Sequence, residues 1–173
     1  MKPVVVVDLF CGMGGFAQGA IDAGADVILS VDSWHEACWV HEHNHPGTRT
    51  DRLEPYRGGF HIHLHGSPPC QALSNASNRD PQEGMALVVW YLNLVKSVMP
   101  DSWSMENVVP VRKLLPHGTP SVVLNSTDFG VPQTRRRCYA GSGWEAQPSH
   151  AQDNWLSVIG ALPHLQNELI ELK

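Results

Sequence analysis

Several groups of residues in this 173-residue chain have the types and spacing to do chemistry. Cys70 stands in GSPPCQ at residues 66–71. The two prolines before it fix φ and remove two backbone donors, so the segment leaves any strand ladder and holds the sulfur at a defined exit point. A cysteine so placed is a nucleophile, a metal ligand or a small buried hydrophobe, and taken alone the last is the commonest. The run DLFCGMGGF at residues 8–16 is a glycine turn. Such a turn lets backbone approach a ligand and frees helix N-terminal amides for it, as nucleotide sites require, though the same pattern also serves as a plain tight turn. Asp32 follows about twenty residues later, where an acid either accepts hydrogen bonds from ribose hydroxyls or caps the next helix. Glu106 brings a carboxylate to a strand end, with Asn107 beside it. Gln133, Arg135, Arg136 and Arg137 form the dense basic cluster of the chain. A charge run is most often a solvated face, yet Arg135 and Arg137 alternate and so point the same way, which suits a phosphate or a carboxylate.

The histidines are a second candidate set. His41 and His45 share a helix face, and His61, His63 and His65 alternate along a strand. No cysteine or acid partners them at ligand spacing, so solvated or hydrogen-bonded histidines are expected and no metal.

The elements that must position these groups are legible in order. Residues 3–9, PVVVVDL, form a β-branched run of the kind buried on both faces in a parallel sheet. After the glycine turn, Ala17, Ala20, Ile21 and Ala23 make a helical apolar stripe closed by Gly24. Residues 25–31 give a second strand, and 34–43 a helix stopped at His45-Pro46-Gly47. Asp51 reads as a turn residue before the run at 60–65. Residues 74–81 are a polar stretch suited to a lid. A helix over 84–98 follows, with Leu87, Trp90, Tyr91, Leu94 and Val98 at core spacing. Residues 102–105 form a short strand that delivers Glu106 beside Cys70. Strands at 120–124 and 135–140, joined by a short connection, are expected as an antiparallel pair at the sheet edge. The segment after Gly141 carries a modest helix from about Leu165.

Composition narrows the field. A chain of this length with 42% hydrophobic residues can bury one ordinary core. Four dispersed cysteines and the lack of a charged-then-apolar leader point to a reducing, cytoplasmic setting. No apolar run approaches the roughly 18–20 residues of a membrane helix. The formal charge of −5 is the wrong sign for nucleic acid held by the overall field, so any such contact needs a local patch.

DLFCGMGGF, Asp32, GSPPCQ, the ENV at residues 106–108 and PQTRRR occur here in one order, and in this the chain resembles the catalytic half of a DNA (cytosine-5)-methyltransferase over about residues 4–140. The resemblance implies an α/β, doubly wound, mostly parallel sheet of the Rossmann-like S-adenosylmethionine-dependent methyltransferase type, with a C-terminal antiparallel hairpin. It implies a catalytic domain over residues 1–145 and an extension over 146–173. It places S-adenosylmethionine among Asp8, Phe10, Gly12, Gly14, Asp32, Ser33, Asp51 and Pro69. Asp32 takes the ribose and Asp51 the adenine amino group. Ser33 stands where the family often has an aromatic or apolar residue, with Trp34 one step later.

The same resemblance implies the chemistry. Cytosine C5 is a poor nucleophile until a thiolate adds at C6, and Cys70 is the candidate for that addition. Glu106 donates a proton at N3 and accepts from the exocyclic amine, Asn107 braces its loop, and Arg135 and Arg137 lower the thiol's pKa and hold the flipped nucleotide. Gln71 and Gln133 complete the substrate contacts, and DNA is the implied partner. Family members continue into a target-recognition region and a closing motif pair that this sequence lacks. Three expectations follow: one half of a split or truncated enzyme whose second subunit supplies the missing parts; a stand-alone enzyme for small or single-stranded cytosine substrates; or an inactive binding remnant.

Overall fold

The strand Val4–Leu9 (β1) is buried from its second residue to its last, as a β-branched run covered on both faces must be. The structure, a computed structural model, describes residues 2–46, 59–69 and 81–149, with backbone alone at 81–83. β2 (Asp26–Val31) and β3 (His61–Gly66) pair parallel with β1 on either side, and β4 (Ser102–Asn107) pairs parallel with β3. Three helices, α1 (Gly15–Asp22), α2 (His35–Asn44) and α3 (Pro81–Val98), lie in the connections between these strands. Parallel pairing requires such crossovers.

α1 covers one face of the sheet, where Ala17 packs on Val6 and Val27 with Phe16 and Ala20 beside them. The larger core lies on the opposite face, where Val88, Tyr91, Leu92 and Val95 of α3 pack on Val7, Leu9, Leu29, Leu64 and Met105. Helices on both faces make the sheet doubly wound, as expected. Among the described residues no helix is long and apolar enough to cross a membrane.

Two expectations for α3, its buried face and its start, are corrected. The buried face of α3 is turned from the expected stripe: Leu87, Trp90 and Val98 are exposed, and Val88, Leu92 and Val95 take the core. Tyr91 sets this rotation. It is fully buried, with its hydroxyl 2.9 Å from Leu64 O and 2.8 Å from Ser104 O, so hydrogen bonding fixes the helix about its axis. Gly66 makes room, since a Cβ there would sit inside contact distance of the Tyr91 ring. α3 also begins at Pro81 rather than Gly84, proline being well suited to a first helical position where the N–H is unpaired anyway.

The last two strands form the expected antiparallel pair at the sheet edge. β5 (Ser121–Asn125) is the outermost strand and β6 (Arg136–Ser142) the inner one. It inserts antiparallel between β4 and β5, giving the order β2-β1-β3-β4-β6-β5. Cys138 and Ala140 of β6 are small and fully buried, which suits an interior strand. The connection from β4 to β5 carries a 3-10 turn at Val109–Lys113. The helix expected from Leu165 lies outside the described residues.

Candidate active site

Strand order reverses direction between β1 and β3, and in a doubly wound sheet that switch point opens a crevice at the strands' carboxyl ends. A cavity of about 600 Å³ lies there, within the size range of small-molecule sites. Phe10 reaches it from the end of β1, Asp32, Ser33 and Trp34 from the end of β2, Ser67 and Pro69 from the end of β3, and Leu87 and Trp90 from α3. Phe10 has φ 57, a left-handed conformation that a bulky residue adopts only where its surroundings enforce it. Its ring meets Trp90 edge to face with centroids 5.9 Å apart.

Asp32, at the end of β2, has its carboxylate held by two backbone donors. Its Oδ2 accepts from Gly12 N–H and its Oδ1 from Trp34 N–H, each at 2.8 Å, tying the glycine turn to the start of α2. Each carboxylate oxygen keeps a further lone pair for a hydroxyl in the cavity. Aromatic walls, a polar acceptor and this volume fit an adenosine-bearing cofactor. Gly12 is required by its φ of 52. Gly14 is required by packing: a Cβ there would lie 2.6 Å from the His45 ring and 3.0 Å from that of His41. Asp8 lies within the sheet rather than on the cavity wall. It is fully buried, and its carboxylate oxygens have no hydrogen-bond partner among the described residues. Burial, with the charge of Asp32 second, pushes its pKa up to about 7.

The second group sits one strand over. Glu106, near the end of β4, pairs through Oε1 with Arg137 Nε of β6 at 2.9 Å, and both side chains remain partly exposed. The antiparallel register sets Glu106 opposite Tyr139 and Asn107 opposite Cys138, so the arginines of β6 run past the carboxylate. Burial raises the Glu106 pKa, against the opposing pull of Arg137 and Arg135. Asn107 is buried and donates to Pro68 O at 3.1 Å, while its own Oδ1 accepts from Val108 N–H. That side chain locks the loop after β3 to the end of β4. Arg135 and Arg137 line one groove of about 660 Å³ with Phe16, Leu124, Tyr139 and Trp144. Their alternation does point them the same way.

Cys70, Gln71 and Asp51 lie outside the described residues. Gln133 is exposed on the connection before β6. Of the other thiols, Cys11 is buried and its pKa is pushed up to about 12, chiefly by burial, and buried Cys138 is raised for the same first reason. Neither is activated as a nucleophile. The rings of His41 and His45 lie 4.9 Å apart with their planes tilted by 58°, packed against Gly14 of the glycine turn. Among the described residues no group of three or more His, Cys, Asp or Glu could hold a metal ion. Sequence reasoning missed Ser67, Leu87 and Trp90 as cavity residues. The signal for the two on α3 was a spacing of three on a helix otherwise read as core.

The model for the family of C-5 cytosine-specific DNA methylases matches residues 4–120. Type II methyltransferase M.HgiDI of Herpetosiphon aurantiacus is 31% identical over 154 residues, covering 77% of this chain and 50% of that protein. Type II methyltransferase M.HindV of Haemophilus influenzae is 30% identical over 155 residues, covering 76% and 50%. A solved structure described as a prophage-encoded DNA modification methyltransferase of E. coli is similar at TM-score 0.64 and 25% identity, covering 80% of this chain and 46% of that one. The chain spans about half the length of the curated relatives it matches.

Proposed function

The chain belongs to the C-5 cytosine-specific DNA methylase family, and from that premise we propose that it carries the catalytic half of an enzyme methylating C5 of cytosine in DNA, with S-adenosylmethionine as donor. The observation that carries this is the bracing of two catalytic loops against each other. Asn107 holds the Pro68 carbonyl two residues before Cys70, and Glu106 stands next to Asn107 with Arg137 on its carboxylate.

Phe10, Trp34 and Trp90 offer surfaces for an adenine, and Asp32 an acceptor for ribose hydroxyls. S-adenosylmethionine bound there supplies a methyl group made electrophilic by its sulfonium. The chain's own residues make the cytosine nucleophilic. Addition of the Cys70 thiolate at C6 breaks ring aromaticity and places electron density on C5. Glu106, its pKa raised by burial, donates a proton to N3 as charge builds there and accepts from the exocyclic amine. Arg137 orients that carboxyl, and Arg135 and Arg137 put positive charge where a flipped nucleotide's phosphate would lie. Loss of the C5 proton and elimination of the thiol restore the ring. With a net charge of −5, this chain would take its DNA affinity from that patch and from a recognition region on further polypeptide.

Calorimetric titration of S-adenosylmethionine into the chain tests the cavity: saturable binding is expected, weakened at least tenfold by Trp90→Ala, roughly the loss of one aromatic contact of 1.4 kcal/mol. Binding indifferent to Trp90 would overturn the placement. Cys70→Ala should keep cofactor affinity and abolish methyl transfer to an oligonucleotide in the complete enzyme. Full activity in that variant would remove the thiol from the mechanism.

A further inference from the structure

The histidines of β3 do something that neither metal binding nor core packing describes. His61, His63 and His65 project from one face of β3, and Ser102 and Ser104 project from the same face of β4. Their polar atoms interleave without a break. His61 Nε2 lies 2.8 Å from Ser102 Oγ, which lies 2.7 Å from His63 Nδ1. His63 Nε2 lies 2.8 Å from Ser104 Oγ, which lies 2.7 Å from His65 Nδ1. His65 Nε2 then lies 3.0 Å from Ser67 Oγ. The file runs along the strand and ends at a residue of the cofactor cavity wall.

Its chemistry is constrained by counting protons. A neutral imidazole has one N–H and one lone-pair nitrogen, and a hydroxyl has one proton to give. The rings of His63 and His65 are held neutral because burial, ahead of the neighbouring histidine's charge, lowers their pKa values to about 4 and about 3. No hydrogen-bond partner beyond these two rings is found for Ser102 Oγ or Ser104 Oγ among the described residues. With each hydroxyl accepting from one ring and donating to the other, the file is continuous. That leaves two arrangements of the file: every histidine protonated at Nε2 with donation running toward Ser67, or every histidine at Nδ1 with donation running away from it. In the first, Ser67 is free to donate into the cavity. In the second, its proton is spent on His65 and it offers the cavity lone pairs only.

We propose that His61, Ser102, His63, Ser104, His65 and Ser67 act as one proton relay between the cofactor cavity and the amino-terminal edge of the sheet. A proton arriving at Ser67 Oγ forms an O–H bond there as the serine's own proton passes to His65 Nε2. The Nδ1 proton of His65 passes to Ser104, whose proton passes to His63 Nε2. The Nδ1 proton of His63 passes to Ser102, whose proton passes to His61 Nε2, and His61 releases its Nδ1 proton to water. One proton enters and one leaves, every electron pair stays on its nitrogen or oxygen, and the file ends in the other arrangement. Phe16 keeps the rings aligned, since it stacks on His65 with centroids 3.5 Å apart and planes 6° apart. Near the outer end, Asp101 accepts from Ile62 N–H at 2.8 Å and places a carboxylate by the exit. Methylation of C5 liberates one proton per turnover, and that use of the relay rests on the function proposed above. Ser67 and the rings behind it act as positioning residues for that proton.

The relay is tested on the intact chain without turnover. With 15N-labelled histidine, long-range 1H–15N spectra read the tautomer of each ring. His63 and His65 are expected to share one tautomer, and Ser67→Ala, which removes only the terminal hydroxyl, is expected to shift the tautomer ratio at His65, His63 and His61 by a common factor. Adding Ser104→Ala should confine the shift to His65. Opposite tautomers at His63 and His65, or a Ser67→Ala effect that stops at His65 with Ser104 present, would overturn the proposal. A cavity that fails to bind S-adenosylmethionine would instead sink the functional assignment, and the tautomers would still decide the relay.

Discussion

Asp8→Asn isolates one buried titratable group of the sheet. The Asp8 carboxyl is fully buried without a hydrogen-bond partner among the described residues, and its pKa rises from 3.8 to about 7, first through burial and second through Asp32. Between these values the folded chain holds a proton that the unfolded chain has released, so stability falls as pH rises across that window. A shift of about three units at 1.36 kcal/mol each amounts to about 4 kcal/mol, fully lost above pH 7. His65 and His63 run the other way: their lowered pKa values mean that stability grows as pH rises through about 3 or 4 toward 6.5. The wild-type profile alone would mix these effects. The difference between wild type and Asp8→Asn removes the histidine contribution, because both proteins share it. Urea midpoints measured from about pH 4 to about pH 8 should show the variant gaining on wild type by up to about 4 kcal/mol, with the gain confined to that interval. A difference independent of pH would refute the assignment of a protonated carboxyl at Asp8.

Two more outcomes follow from packing and from charge. Gly66→Ala should lower stability by about 1–3 kcal/mol in chemical denaturation, because the new methyl group meets the Tyr91 ring and must displace the pivot of α3. An unchanged midpoint would show that the ring yields freely. Glu106→Gln should slow methyl transfer by the complete enzyme by about 100-fold or more, the scale of acid catalysis, with cofactor affinity unchanged. An unaltered rate would remove Glu106 from the proton transfer at N3.

Much of this arrangement was legible in the sequence because period and punctuation are local. The valine run of β1, the glycine turn and the apolar stripe of α1 each announce themselves within a dozen or so residues. Asp32, Glu106 and Arg137 were singled out by the order of motifs that carries the family resemblance. What escaped depended on contacts across the fold. The rotation of α3 is decided by the Tyr91 hydroxyl finding carbonyls on two strands, which no helical wheel contains. The short connection correctly suggested an antiparallel edge pair, but that β6 and not β5 lies beside β4 is a pairing between segments about thirty residues apart. The alternation of His61, His63 and His65 was visible. That serines on the neighbouring strand match its period was not, because register between strands is not written in either one alone.

The late arrival of β6 carries a consequence for biosynthesis. β4, with the Glu106 carboxylate near its end, leaves the ribosome well before the strand that flanks it, so for an interval it presents an open ladder of amides and carbonyls. Only when Arg136–Ser142 threads into that gap does Glu106 acquire Arg137. Until then the pair of Glu106 and Arg137 is absent, and it forms in the same step that seals β4 against its neighbours.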